Sequence, residues 1–242
     1  MTVNIQFFDV DVSKNYSDKN NRKVVLQTIL NYDENEFKIL LNSRLLVYFG
    51  EMSSRNHFFK SLGVLKIRGT WDYKDFHNQN IHELSSIKNF EMYKFFIYLS
   101  LDIRITQNEI EKVLTIAHEL QHILQYVQNW AFFDKNRNLK IILNRIDIFS
   151  ADEKLNIYHE LPFEKDAVRK ARIIANRMFG KNNVDNFLNE VKKNNSDSYY
   201  WEIISRVEPK NEFDHENELK KFTKWIEENY PAFLNELKKE YP

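Results

Sequence analysis

From Thr106 to Asn129 the chain contains no Gly or Pro, and Ile110, Val113, Ala117, Leu120, Leu124 and Val127 recur along it. Apolar positions three and four apart line one face of a helix. Thr106 with Glu109 three residues on reads as a capping box, which fixes where that helix starts. On it stands His118-Glu119-Leu120-Gln121-His122, an H-E-x-x-H motif. Two His four residues apart share a helix face, with Cβ atoms about 5–6 Å apart. Both rings can then reach one tetrahedral Zn²⁺ at about 2.0–2.1 Å. Glu119 points about 100° round the helix from His118, off the metal and beside a metal-activated water. That division of labour is what metal-assisted hydrolysis needs. His118 and His122 are therefore expected metal ligands, Glu119 the expected general base and acid, and Zn²⁺ the cofactor. The plainer reading makes both His ordinary, partly exposed helix residues. The capped helix around them and a carboxylate further along the chain weigh against it.

The segment before the helix alternates. Ile97, Leu99, Leu101, Ile103 and Ile105 interleave with Tyr98, Ser100, Asp102 and Arg104, the period of a half-buried strand. The order is thus strand, capped helix, motif.

A catalytic zinc site usually has three protein ligands and one open position. With no Cys in the chain, the third must be His, Asp or Glu. The best candidate lies in Leu161-Pro162-Phe163-Glu164-Lys165-Asp166-Ala167. Pro162 suits the first turn of a helix, where its missing N–H costs nothing. Ala167, Val168, Ala171, Ile174 and Ala175 continue at helical spacing, and Glu164 shares their face. Glu164 is the expected third ligand, with Glu160, His159 and Asp152 as alternatives. A first-turn Glu favoured by the helix dipole is the plainer reading of Glu164.

With these residues the chain resembles the gluzincin-type zinc metallopeptidases, which combine H-E-x-x-H with a downstream Glu. The resemblance covers about residues 95–180. It implies His118, His122 and Glu164 as zinc ligands and Glu119 as general base and acid. Pro162-x-Glu164-x-x-Ala167 looks like the P-x-E-x-x-A element of several small members. Thermolysin-like members carry E-x-x-x-D instead. Here Val168 stands four residues after Glu164, and Asp166 is expected to point elsewhere. Glu160-x-x-x-Glu164 would keep that spacing, with Glu160 as the ligand. The metzincin pattern fails, because no Gly or third His follows His122 at its spacing. In zincins a strand lies beside the active-site helix, and an edge strand there can pair with an extended substrate. A Tyr or His beyond the third ligand often stabilises the oxyanion, which makes Tyr199, Tyr200 and His215 candidates.

The remaining sequence bounds the fold. Four Gly and four Pro in 242 residues favour helices over turn-rich β architecture. Residues 1–12 alternate like a strand, 13–22 read as a loop, and Val64–Arg68 as a short strand. Residues 23–33 fit strand or helix, and a helix is expected near 34–48. His77 and His82 read as loop histidines. Residues 139–149 fit helix or strand, and 208–242 read as one or two terminal helices. The fold expected is α+β and zincin-like. It comprises one domain, 1–242, with a mainly strand-rich mixed-sheet lobe over 1–105 and a helical lobe over 106–242 that carries the zinc site.

Lys+Arg of 35 balances Asp+Glu of 35, so no global field argues for nucleic acid or an anionic membrane. No stretch reaches the length of a transmembrane helix. The first residues lack the basic and apolar regions of a signal peptide. The expectation is a cytoplasmic protein, with leaderless secretion left open, that acts on protein or peptide substrates. The expected activity is zinc metalloendopeptidase. The alternative is a catalytically silent zincin-like binding or regulatory module. Oligomeric state is not legible.

Overall fold

The computed structural model describes residues 5–9, 19–50, 63–67, 95–100, 108–194, 199–209 and 212–240. Helix dominates them. The helices are α1 (Lys19–Leu30), α2 (Glu34–Asn42), α3 (Glu109–Gln128), α4 (Trp130–Arg145) and α5 (Ala151–Glu160). They continue with α6 (Pro162–Phe179), α7 (Lys181–Asn194), α8 (Tyr199–Arg206), α9 (His215–Asn229) and α10 (Pro231–Glu240). The strands are β1 (Ile5–Asp9), β2 (Leu45–Gly50), β3 (Gly63–Ile67) and β4 (Phe95–Ser100).

The expected α+β, zincin-like fold with a mixed-sheet N-terminal lobe is therefore corrected: the described chain is mainly helical. Two causes are visible. Residues 19–42, inside the stretch expected to be strand-rich, form two helices and bury Val24, Val25, Ile29 and Leu40. The strands are short, at five or six residues each. They lie in the order β1-β2-β4-β3, with β1, β2 and β4 parallel and β3 antiparallel to β4. Ile97 of β4 sits between Val47 of β2 and Leu65 of β3. The strand ahead of the motif helix is thus hydrogen-bonded on both sides and offers no edge to an extended peptide. Its expected continuation over 101–105 lies outside the described residues, as do 71–86 with His77 and His82.

The chain divides into two compact units, Met1–Leu124 and Gln125–Pro242, and the division falls inside α3. In the first unit, Leu40, Leu45, Val47, Val113, Ala117 and Leu120 are fully buried. The Tyr32 hydroxyl donates to the Ala117 carbonyl at 2.7 Å, and Lys112 Nζ donates to Asn21 Oδ1 at 2.9 Å. Both bonds tie α3 to the α1–α2 segment. α2 starts on a capping box of Asp33 and Glu36. It stops earlier than expected, because Arg44 adopts a φ of 45° and the following Leu-Leu-Val-Tyr-Phe run favours strand. At the head of α3, Asn108 Oδ1 accepts from the Ile110 N–H at 2.8 Å, an N-cap contact. Thr106 lies outside the described residues.

The second unit is helical throughout its described part. Asn129 caps α4, and a Ser150–Glu153 capping box starts α5. Pro162 occupies the first turn of α6, and Gly180 ends that helix with a φ of 82°, where a side chain would be strained. Residues 139–145 belong to α4, and the terminal stretch forms α9 and α10. Arg172 of α6 satisfies the end of α8. Its Nη1 donates to the carbonyls of Ile204, Ser205 and Val207 at 3.1, 3.2 and 2.7 Å. Its Nη2 donates to Asp185 at 2.7 Å. Among the described residues, no helix is long and apolar enough to cross a membrane.

Candidate metal centre

The motif helix is buried on both faces. Val113, Ile116, Ala117, Leu120, Ile123 and Leu124 form the apolar side. Glu111, Thr115, His118, His122 and Gln125 are buried too. At 100° per residue these five fall within about 40° of one line along the helix. An ordinary surface helix would present such a polar line to water. Here it is covered, and the two His lie opposite the apolar stripe. Glu119 and Gln121 flank the line on either side and are also buried. Val127, expected in the core stripe, is 47% exposed.

The rings of His118 and His122 meet edge to face, with centroids 4.8 Å apart and planes at 85°. Their Nε2 atoms are 3.2 Å apart. Two nitrogens 3.2 Å apart, each about 2.0–2.1 Å from one ion, would subtend about 103° there, close to tetrahedral. Glu164 stands in the first turn of α6, only 2% exposed. One ligand atom from each of His118, His122 and Glu164 lies within 4.8 Å of the others. This group can hold a metal ion, and its chemistry fits one. Two imidazoles and a carboxylate form a common donor set for a divalent transition metal. A carboxylate buried in this way is also stabilised by a cation.

The turn that carries Glu164 is held from several sides. Gln125 Nε2 donates to the Phe163 carbonyl at 2.9 Å and to Asp166 Oδ2 at 2.8 Å. Asn136 Oδ1 accepts from the Phe163 N–H at 3.3 Å. Asp166 Oδ1 accepts from Arg169 Nε at 3.1 Å and Nη2 at 2.7 Å.

The alternative ligands go elsewhere. Glu160 forms an ion pair with Lys165. His159 packs against Tyr158, and Asp152 is exposed. Of the oxyanion candidates, His215 packs its ring on Phe132 and Phe213, with centroids 4.2 and 5.1 Å away. Tyr199 and Tyr200 open α8, but their side chains lie outside the described residues. The sequence alone did not point to Gln125 or Asn136, and it gave Asp166 no part in the site. The one signal for Gln125 was its position three residues after His122, on the ligand face. On the same face, burial pushes the Glu111 carboxyl up to about 7. In comparisons with known proteins, the chain matches no family model, no curated protein and no solved structure.

Proposed function

We propose that this protein is a zinc-dependent metallopeptidase of the H-E-x-x-H-plus-Glu type, acting on a protein or peptide substrate. The observation that supports the reading most is the gathering of His118, His122 and Glu164 ligand atoms within 4.8 Å in a buried setting. Glu164 comes from a second helix, 42 positions after His122, so the support extends beyond the pentapeptide. Zinc, when bound, supplies the Lewis acidity that polarises a peptide carbonyl and acidifies water at the site toward a pKa of about 7.

The chain's own residues do the rest. His118 and His122 would hold the ion through ring nitrogens and Glu164 through a carboxylate oxygen. Glu119, next in sequence to a ligand, takes a proton from the attacking water on its carboxylate and delivers it to the leaving amine. Burial of all four residues keeps the polar groups in a medium where their electrostatic effects are strong.

The test is Glu119→Gln. It should keep the metal and the fold and lose cleavage of a peptide library by at least about a hundredfold, the lower end of general acid–base contributions. A Glu119→Gln protein that cleaves as fast as wild type removes the peptidase reading. So does a zinc-loaded wild type that cleaves nothing across a broad library.

A further inference from the structure

We propose that Gln125 and Asp166 are positioning residues for the metal centre, a clamp that fixes the Glu164 carboxylate by locking the first turn of α6. The inference rests on the metal-centre reading above. Its basis is the way the two side chains bracket the ligand. The Gln125 amide nitrogen has two N–H groups. It contacts two acceptors, the Phe163 carbonyl just before Glu164 and the Asp166 carboxylate two residues after it. Both partners are acceptors only, so the amide nitrogen, not its oxygen, must face them.

The peptide unit leading into Glu164 is thereby fixed on both sides. Its carbonyl is held by Gln125, and the Glu164 N–H donates to the Leu161 carbonyl at 3.0 Å. Asp166 is in turn held through its other oxygen by Arg169. Gln125, Asp166 and Arg169 are all buried, at 3%, 1% and 8% exposure. Hydrogen bonds in such surroundings are hard to replace with water, and a side chain held by them has little freedom to swing.

Gln125 is also the next residue on the ligand face of α3, three positions past His122. Gln125 and the turn it holds lie in the same unit, so its two contacts act directly on the turn that presents Glu164. A metal site whose supporting groups are removed typically loses about 10–100-fold in metal affinity while its ligands remain. A network that merely stabilised the fold would change melting behaviour and leave the ligand geometry of the loaded protein alone.

The experiment compares wild type, Gln125→Met, Asp166→Asn and Arg172→Met, each as the full chain. Zinc affinity is measured by competition with a chromophoric chelator, ligand geometry by the visible spectrum of the cobalt-substituted protein, and stability by thermal melting. Gln125→Met keeps the length of the side chain and removes both N–H groups. It should weaken zinc binding by about 10–100-fold and alter the cobalt spectrum. Arg172→Met disturbs the same helix at its far contact with α8. It should lower the melting temperature while leaving zinc affinity and cobalt spectrum as in wild type.

Wild-type affinity and spectrum in Gln125→Met would overturn the inference, and so would an equal loss of zinc in Arg172→Met. If Gln125→Met does not fold, Asp166→Asn carries the same test with the same expected loss. A wild type that takes up neither zinc nor cobalt would remove the metal-centre reading itself. A wild type that binds both, with unaffected clamp variants, would remove only this inference.

Discussion

Glu111 shows what burial alone does to a carboxyl group on the ligand face of α3. Loss of water raises its pKa from 4.5 to about 7. The folded chain then holds a proton that the unfolded chain has released between those two values. Stability from this group is complete below pH 4.5 and is lost as pH rises through 7, a fall of about 3 kcal/mol. Glu111→Gln should melt clearly higher than wild type at pH 8 and close to it at pH 4.5, in thermal melts across that range. An offset that does not change with pH would contradict this account. At the same scale, the pairing of His118 with His122 was legible because four-residue spacing on a helix leaves little freedom in where two rings point. Glu164 was legible from Pro162 before it and the small apolar face after it. The clamp was not. Gln125 and Asp166 are 41 positions apart, and no local periodicity links an amide on one helix to a carboxylate on another. Asp166 was expected to point elsewhere, and it does point away from ligand duty, but toward the group that holds the ligand's turn.

Among the elements, α6 carries the most consequence. It starts on Pro162, brings in Glu164 and Asp166, and uses Arg172 further along to satisfy the carbonyl end of α8. Arg172 is buried and Asp185 is its charged partner, with Lys181 and Arg172 holding the Asp185 carboxyl below its usual range. Removing the guanidinium leaves several backbone acceptors and a carboxylate without it. Arg172→Met should therefore cost about 2–4 kcal/mol in urea denaturation; a loss under about 0.5 kcal/mol would mean that the α6–α8 contact is dispensable. Element limits were only partly legible. Helical spacing located α3 and α6, because each buries a long regular stripe. α2 read too long, since a single left-handed residue, Arg44, ends the helix and local spacing gives no sign of it. Residues 139–149 stayed ambiguous in sequence. Ile141, Ile142 and Leu143 suit a buried strand as well as a helix until α4 is seen to begin upstream at Trp130.

For the whole molecule, the scarcity of Gly and Pro was a better guide than the resemblance to a peptidase family. Few turn formers and a long series of three- and four-spaced apolar residues describe a chain of helices, and the described residues are mainly helical. The resemblance carried with it a strand-rich lobe of about a hundred residues that the described chain does not provide. A motif of five residues constrains one helix and its ligands, and says little about what surrounds them. The second unit also has its own dense core. Phe233, Leu143, Ile174 and Ile226 are fully or almost fully buried there. Phe233→Ala should cost about 3–5 kcal/mol in chemical denaturation, the range for a large aromatic removed from a packed interior; a cost below about 1 kcal/mol would mean that α10 is loosely held.

The central claim is that His118, His122 and Glu164 form one metal centre. It is tested most directly by the metal content of the purified protein, measured by mass spectrometry beside His118→Ala and Glu164→Ala. The account predicts about one zinc per chain in wild type and its loss in both variants. No zinc in wild type after reconstitution, or zinc retained at that level in either variant, would contradict it.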